Sequence, residues 1–271
     1  MKCSSKIVVF DLDETLGYFM ELGMFWDALK EYIKQKENKT THKITLNQDF
    51  FNNILDLYPE FLRPNIIGIL NYLKKKKQQN HCDKLMIYTN NQGPREWANL
   101  IMNYFEKNVN YKIFDQIISA FKVQGKRVEL CRTTHMKTHM DLIKCTKLPE
   151  DTQICFLDDV FYPDMSNEKI YYINLKPYTH DLDFDDMINR FLNSNLLDTD
   201  PIAFRVFILK FMNNYNYIYV EKTKIAQEVD TILSKKILQH LHAFFKMKNN
   251  NDNINKTKRN RIINNKTLKK R

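Results

Sequence analysis

Glycine is scarce, with five in 271 residues. No G-x-G-x-x-G and no G-x-x-x-x-G-K string occurs, so the glycine-rich loops that cradle dinucleotides and nucleoside triphosphates are absent. Cysteine is sparse too. Cys3, Cys82, Cys131, Cys145 and Cys155 form no C-x-x-C, and none is followed six positions on by arginine, which removes the loop of cysteine-dependent phosphatases. Their odd number predicts free thiols in a reducing compartment. No apolar run approaches the ~20 residues that cross a bilayer, and the amino-terminal run is too short for a secretory signal. Both absences predict an intracellular protein, cytoplasmic or nuclear, with no membrane contact. The length suffices for one sizeable core with additions.

Charge is present but unevenly spread. The chain carries 42 Lys and Arg against 32 Asp and Glu, a net +10. Ten of the basic residues and one acidic residue fall between Lys246 and Arg271, which leaves residues 1–245 at +1. That last segment is rich in Asn and Lys and poor in apolar residues, so it cannot offset its own ordering entropy and is expected to be a disordered basic tail, 246–271. Such a tail can contact nucleic-acid phosphates or serve as a nuclear address. The alternative is compositional drift, since Asn, Lys and Ile are abundant throughout. That bias fits an AT-rich genome, cellular or that of a large DNA virus.

Against this background, three short apolar runs end in chemistry-bearing residues. Lys6 to Phe10 leads into Asp11-Leu12-Asp13-Glu14-Thr15-Leu16. Lys84 to Tyr88 leads into Thr89-Asn90-Asn91-Gln92-Gly93. Gln153 to Leu157 leads into Asp158-Asp159. Each run reads as a buried strand. Two carboxylates brought to one point repel unless a cation joins them, and Mg²⁺ takes oxygen ligands while keeping waters and phosphate in its shell. A lone Asp-x-Asp reads better as an acidic turn. Acid, hydroxyl and acid on three successive strand ends, in the place where open α/β sheets bind ligands, read as a site for phosphoryl chemistry.

The string D-L-D-E-T-L resembles the first motif of the haloacid dehalogenase-like phosphatases. The resemblance implies an α/β fold: a Rossmann-like parallel sheet with helices on both faces, a small helical insertion after the first strand and a helical carboxy-terminal extension. It implies Asp11 as the nucleophile that forms an aspartyl-phosphate and Asp13 as the general acid/base. Thr89 holds a phosphoryl oxygen, and Asp158 and Asp159 bind Mg²⁺ together with Asp11 and Asp13, the last through its carbonyl. A lysine neutralises nucleophile and phosphate. Lys137, just before a helical pattern leading into Asp158, is the candidate, with Lys122 and Lys126 as rivals. Thr15 orients the first loop and, with Asn90 and Arg63, contacts the substrate.

The sequence Phe61-Leu62-Arg63-Pro64 ahead of the threonine strand narrows the resemblance to the carboxy-terminal-domain phosphatases of the FCP/SCP type. These remove phosphate from Ser and Thr of proteins. Two departures stand out. Thr89 is followed by Asn-Asn-Gln-Gly, a form nearer to phosphatases of nucleic-acid ends and small molecules, and Asp158 is followed by Asp159 where small members of the group carry Asn. A phosphorylated protein is therefore the first expected substrate and a nucleic-acid end or nucleotide the second. A non-catalytic phosphoprotein-binding or scaffold protein is the third reading.

The remaining pattern predicts strands at 6–10, 84–89, 116–120, 153–157 and 169–174, alternating with helices, which implies a mostly parallel sheet. Helical spacing covers Leu22 to Ile33, Phe50 to Leu57, Ile66 to Lys77, Asp186 to Leu192, Ala203 to Phe211 and Ile225 to Phe245. The expected organisation is a phosphatase domain at 1–195 with a cap-like insertion at 17–60, a helical extension at 196–245, and the tail. Cys131, His135, His139 and Cys145 suggest zinc by residue type, but their spacing matches no familiar zinc pattern.

Overall fold

A computed structural model describes residues 5–37 and 45–247, together with the backbone of 261–262. The expected tail at 246–271 lies outside the described residues except for its first two residues and 261–262.

The described residues form eight strands and eight α-helices. The strands are β1 (Lys6–Phe10), β2 (Lys84–Tyr88), β3 (Gln116–Ile118), β4 (Lys122–Val123), β5 (Lys126–Arg127), β6 (Gln153–Asp158), β7 (Ile170–Asn174) and β8 (Arg261–Ile262). The helices are α1 (Met20–Glu37), α2 (Gln48–Leu57), α3 (Ile66–Gln78), α4 (Arg95–Val109), α5 (His139–Thr146), α6 (Phe184–Asn193), α7 (Pro201–Asn213) and α8 (Lys224–Lys246). The fold is α/β and Rossmann-like. Its sheet has the order β3-β2-β1-β6-β7, all parallel, with the two-residue β8 beyond β7.

Two compact units divide the chain. One comprises residues 1–17, 63–178 and 228–271; the other comprises 18–62 and 179–227. The cuts fall there rather than at 195. The insertion after β1 therefore groups with α6 and α7, and α6 does not complete the sheet-bearing unit.

In the sheet unit, β1 is central and buried on both faces, as a parallel sheet requires. Ile7 and Val9 share one face with Met86, Tyr88, Ile154, Phe156, Ile170 and Tyr172, and Leu142 of α5 packs there. Each fully buried Val, Ile or Phe contributes about 1.5–3 kcal/mol. The opposite face receives α8. Its apolar stripe packs on this unit: Phe244 and His240 meet Tyr171 of β7, and His242 and Phe245 meet Tyr72 of α3. Lys6 Nζ donates to the carbonyls of Phe244 (3.1 Å) and Met247 (2.7 Å), satisfying acceptors that a helix end leaves open.

The second unit is helical with an aromatic interior. Phe25 sits edge-on to Tyr58 and Phe191, Trp26 to Phe51, and Phe191 stacks on Phe204. Tyr58 Oη donates to the Met187 carbonyl at 2.7 Å. Glu21 is fully buried among these groups, accepting the Leu182 N–H at 3.0 Å. Burial holds its carboxyl up at about 8; the Leu182 N–H opposes the shift and Asp181 adds to it. An acid whose folded pKa is raised stabilises the fold most below its unfolded pKa, and that stability is lost as pH rises through the folded value. Glu21→Gln keeps an acceptor and removes the charge. Thermal melts are expected to show the variant more stable than wild type by about 3 kcal/mol at pH 8 and nearly equal at pH 4. Parallel wild-type and variant curves across that range would show that Glu21 does not titrate there.

Candidate active site

Sheet order reverses around β1: the chain runs outward through β2 and β3, then returns to β6 on the other side. Ligands bind beyond the carboxyl ends of strands at such a switch point. The Asp11 N–H donates to the Leu157 carbonyl at 2.8 Å, so Asp11 leaves β1 still tied to β6. Thr89 follows β2 directly and Asp158 ends β6, so all three expected motifs meet at the carboxyl ends of adjacent strands.

Asp13 lies two residues past Asp11, close enough for the Asp11 charge to raise its pKa. The next residue, Glu14, has a φ of 56°, in the left-handed region that a side chain disfavours. Several groups hold this turn. Arg63 donates through Nε to the Thr15 carbonyl (2.6 Å) and through Nη2 to the carbonyls of Glu14 (2.5 Å) and Lys176 (3.0 Å). The guanidinium stands over the Tyr178 ring at 5.4 Å and is buried. Arg63 therefore departs from the expected substrate contact. Its Nε and Nη2 donors are committed to carbonyls, and it acts as a strut beneath the Asp11–Thr15 loop. Thr15 Oγ1 donates to Asp159 Oδ1 at 3.2 Å, so it orients an acid rather than a substrate.

Lys137 is the lysine that the fold delivers. Thr138 caps α5 by accepting the Asp141 N–H, which fixes the residue just before it. The Lys137 ammonium is buried, 1 % exposed, and donates to Asp11 Oδ1 and, at 2.6 Å, to Asp158 Oδ2. The rings of Tyr162 and Tyr88 stand 5.3 and 5.8 Å from it. Burial alone pushes this ammonium toward the neutral form, but Asp11 and Asp158 outweigh burial and its pKa is raised. Lys122 and Lys126, the rivals, sit on the β4–β5 hairpin instead.

Asp11, Asp158 and Asp159 each offer an oxygen within 4.8 Å of the others. Burial raises the pKa of Asp158; Lys137 lowers it and Asp11 raises it further. Burial followed by Asp11 raises Asp159. Three gathered carboxylates facing one ammonium lack positive charge. A hard dication with oxygen ligands fits that deficit, and Mg²⁺ suits the donor set. The Asp13 carboxylate, whose residue is expected to meet a metal through its carbonyl, lies outside this group, and its Oδ2 accepts Asn91 Nδ2 at 2.8 Å. Burial and the neighbouring Asp11 carry the Asp13 carboxyl up to about 6, with the Asn91 bond opposing them.

Thr89 Oγ1 accepts the Asn91 N–H at 2.9 Å, which leaves the hydroxyl proton to point elsewhere. Asn90 Nδ2 donates to Tyr162 Oη at 2.9 Å. Asn91, Tyr162 and Arg132 are site residues that the motif reading passed over. Arg132 is fully buried and donates to the carbonyls of Thr89 (3.1 Å), Ser119 (2.9 Å), His135 (3.0 Å) and Met136 (3.3 Å), tying the Lys137 segment to the Thr89 strand end.

No protein-family model matches the chain, and no curated protein matches it significantly. The site is therefore read from its own geometry.

Free thiols are found only in part. Cys131 and Cys145 form a disulfide across 14 residues, bracketing Lys137, while Cys82 and Cys155 are free and buried. The fold brings the Cα atoms of the bonded pair within 5.0 Å, a proximity that spacing alone does not reveal. Pairing of the two sulfurs also removes the thiolates a zinc site would need. No helix among the described residues is long and apolar enough to cross a membrane.

Proposed function

We propose that the protein is a Mg²⁺-dependent phosphoric monoester hydrolase working through an aspartyl-phosphate on Asp11. The observation that carries the reading is the buried Lys137 ammonium bridging Asp11 and Asp158, with a raised-pKa acid, Asp13, two residues on. A carboxylate is a weak nucleophile and needs a phosphoryl group whose charge is already countered. Lys137 and the Thr89 hydroxyl counter and hold that charge.

Asp11 forms the new O–P bond as the ester P–O bond breaks, and Asp13 gives its proton to the departing alkoxide. Water then attacks phosphorus, Asp13 takes a proton from it, and the Asp11 carboxylate leaves. The products are an alcohol and inorganic phosphate. Asn91 keeps Asp13 aimed during both steps. Asp11, Asp158 and Asp159 would hold Mg²⁺, which supplies charge neutralisation at the phosphoryl oxygens.

The resemblance to FCP/SCP-type enzymes favours phosphoserine or phosphothreonine of a protein as substrate. The basic and aromatic groups around the strand ends favour a phosphorylated nucleic-acid end, as argued below.

The reading is tested with an aryl phosphate, whose leaving group makes little demand on a specific pocket. Hydrolysis is expected with Mg²⁺ and is expected to fall at least a hundredfold in EDTA, with recovery on adding Mg²⁺ back. Equal rates with and without chelator would refute metal dependence. Absence of turnover in folded protein would leave the phosphate-binding, non-catalytic reading in its place.

A further inference from the structure

We infer that the site takes the phosphorylated end of a single-stranded nucleic acid. The inference rests on the phosphoryl-transfer reading above and adds its substrate class.

Two independent features at the site's edge carry it. The first is the β4–β5 hairpin, which follows directly from β3. Its root is tied to the site because Arg132 donates to both the Ser119 and the Thr89 carbonyls. Lys122 pairs with Arg127 across the hairpin, and Val123 with Lys126. Like charges directly opposite each other on a strand pair repel. Both cations also stand over one ring, Phe121, at 5.1 and 5.3 Å. Glu129 is the nearby acid, and its carboxylate accepts the Ser119 N–H at 3.4 Å. Among the described residues, none of Lys122, Lys126 and Arg127 forms an ion pair with an acid. The hairpin thus concentrates uncompensated positive charge beside Thr89, which suits a ligand with further phosphates behind the one being cleaved.

The second feature lies on the other side of β1. Phe161, two residues past Asp159, stacks on Tyr172 with 11° between the rings and centroids 5.6 Å apart. Tyr172 is itself fixed, donating to the Val160 carbonyl at 2.7 Å and accepting the Tyr162 N–H at 3.0 Å. Phe161 is 44 % exposed, so a rigidly backed aromatic face is open to solvent. Base-stacking platforms beside a cationic track characterise proteins that hold single strands without reading their sequence. A peptide with one phosphate offers no series of phosphodiesters to the hairpin cations and no base to the Phe161 face. With the terminal phosphate on Asp11, the terminal base stacks on Phe161 and the following phosphodiesters meet the hairpin.

The test uses the full-length chain throughout, so that residues 248–271 are the same in every arm. Binding is measured by fluorescence anisotropy with Mg²⁺ in an Asp11→Asn background, which prevents turnover. The probes are oligothymidylates of about ten nucleotides, within the range single-strand sites cover. They carry a 3′-phosphate, a 5′-phosphate or neither, and a phosphoserine peptide is the comparison.

One of the phosphorylated oligonucleotides is expected to bind at least tenfold more tightly than the peptide and the unphosphorylated strand. The Lys122→Gln/Lys126→Gln variant is expected to weaken that binding about tenfold and to reduce the salt slope by about 1.4, at roughly 0.7 per phosphate contact. Phe161→Ala is expected to weaken it roughly 5- to 150-fold. Circular dichroism confirms that each variant is folded. Preference for the peptide, or oligonucleotide binding unchanged in both variants, overturns the inference. Failure of the wild type to hydrolyse an aryl phosphate overturns the phosphoryl-transfer reading alone, because binding is read separately.

Discussion

Asp11→Asn is expected to lower Mg²⁺-dependent hydrolysis of an aryl phosphate by roughly 10⁴-fold or more, the scale on which removal of a covalent nucleophile acts. The amide oxygen is too poor a nucleophile to attack phosphorus, while the side-chain volume hardly changes. The fold should not suffer. Asp11, Asp158 and Asp159 crowd three carboxylates together, and removing one charge relieves repulsion. In EDTA the variant is therefore expected to melt no lower than wild type. In Mg²⁺ the wild type should gain stability by mass action, and the variant should gain less because one ligand has lost its charge. Acid-quenched wild-type protein should carry one phosphoryl group by mass spectrometry and the variant none. A variant that retained activity within tenfold of wild type would assign the nucleophile elsewhere.

Lys137→Met should damage both activity and stability, and pH should separate the two. Loss of the ammonium that counters the phosphoryl charge is expected to lower kcat on the order of 10²- to 10³-fold, the magnitude seen when one preorganised electrostatic group is removed. Breaking a buried ion pair by deleting one partner costs about 3–5 kcal/mol, because the other charge stays buried. Here two carboxylates, Asp11 and Asp158, are left facing each other. Burial already raises Asp158 with the lysine present, so protonation relieves the defect as pH falls. Urea unfolding is expected to show a loss at pH 8 that shrinks markedly toward pH 5. Lys137→Arg should restore little, since the guanidinium is broader than the ammonium and the Tyr88 and Tyr162 rings close around the site. A loss of stability independent of pH would mean that packing, and not charge, is what Lys137 supplies.

The sheet was legible because its strands are short, β-branched and buried on both faces. Ile7-Val8-Val9-Phe10 and Ile154-Cys155-Phe156-Leu157 are apolar without alternation, and each stops at an acid. The α8 face was legible from the helical spacing of its apolar residues, although the surface it covers could not be read from that spacing. Contacts between residues distant in sequence carried no periodic signal. Asn91 reaching Asp13 spans 78 residues, and nothing in the order of residues marks it. Arg63 was expected to face a substrate because the resemblance to the phosphatases implied it. Only the three carbonyls gathered around it make a buried guanidinium tolerable. The β4–β5 hairpin did carry a readable signal. Gln124 and Gly125 both have positive φ, at 48° and 77°, as a two-residue hairpin turn of the primed kind requires, and a polar-Gly pair between short polar runs is its mark. The partition of α6 and α7 with the insertion after β1 depends on aromatic packing, such as Phe25 on Phe191, between segments far apart in the chain.

The order in which the chain is made bears on when the protein can act. β1 pairs with β6, which ends at Asp158, and Asp11 and Asp158 share Lys137. At about 5–20 residues per second, synthesis takes roughly 7–30 s to pass from Asp11 to Asp158. Throughout that interval a strand of Ile, Val and Phe has no β6 beside it, and Asp11 has no counter-ion until Lys137 is added. Closure of the sheet around β1 therefore waits until β6 has been made, and a chain halted before β6 carries Asp11 with no site around it.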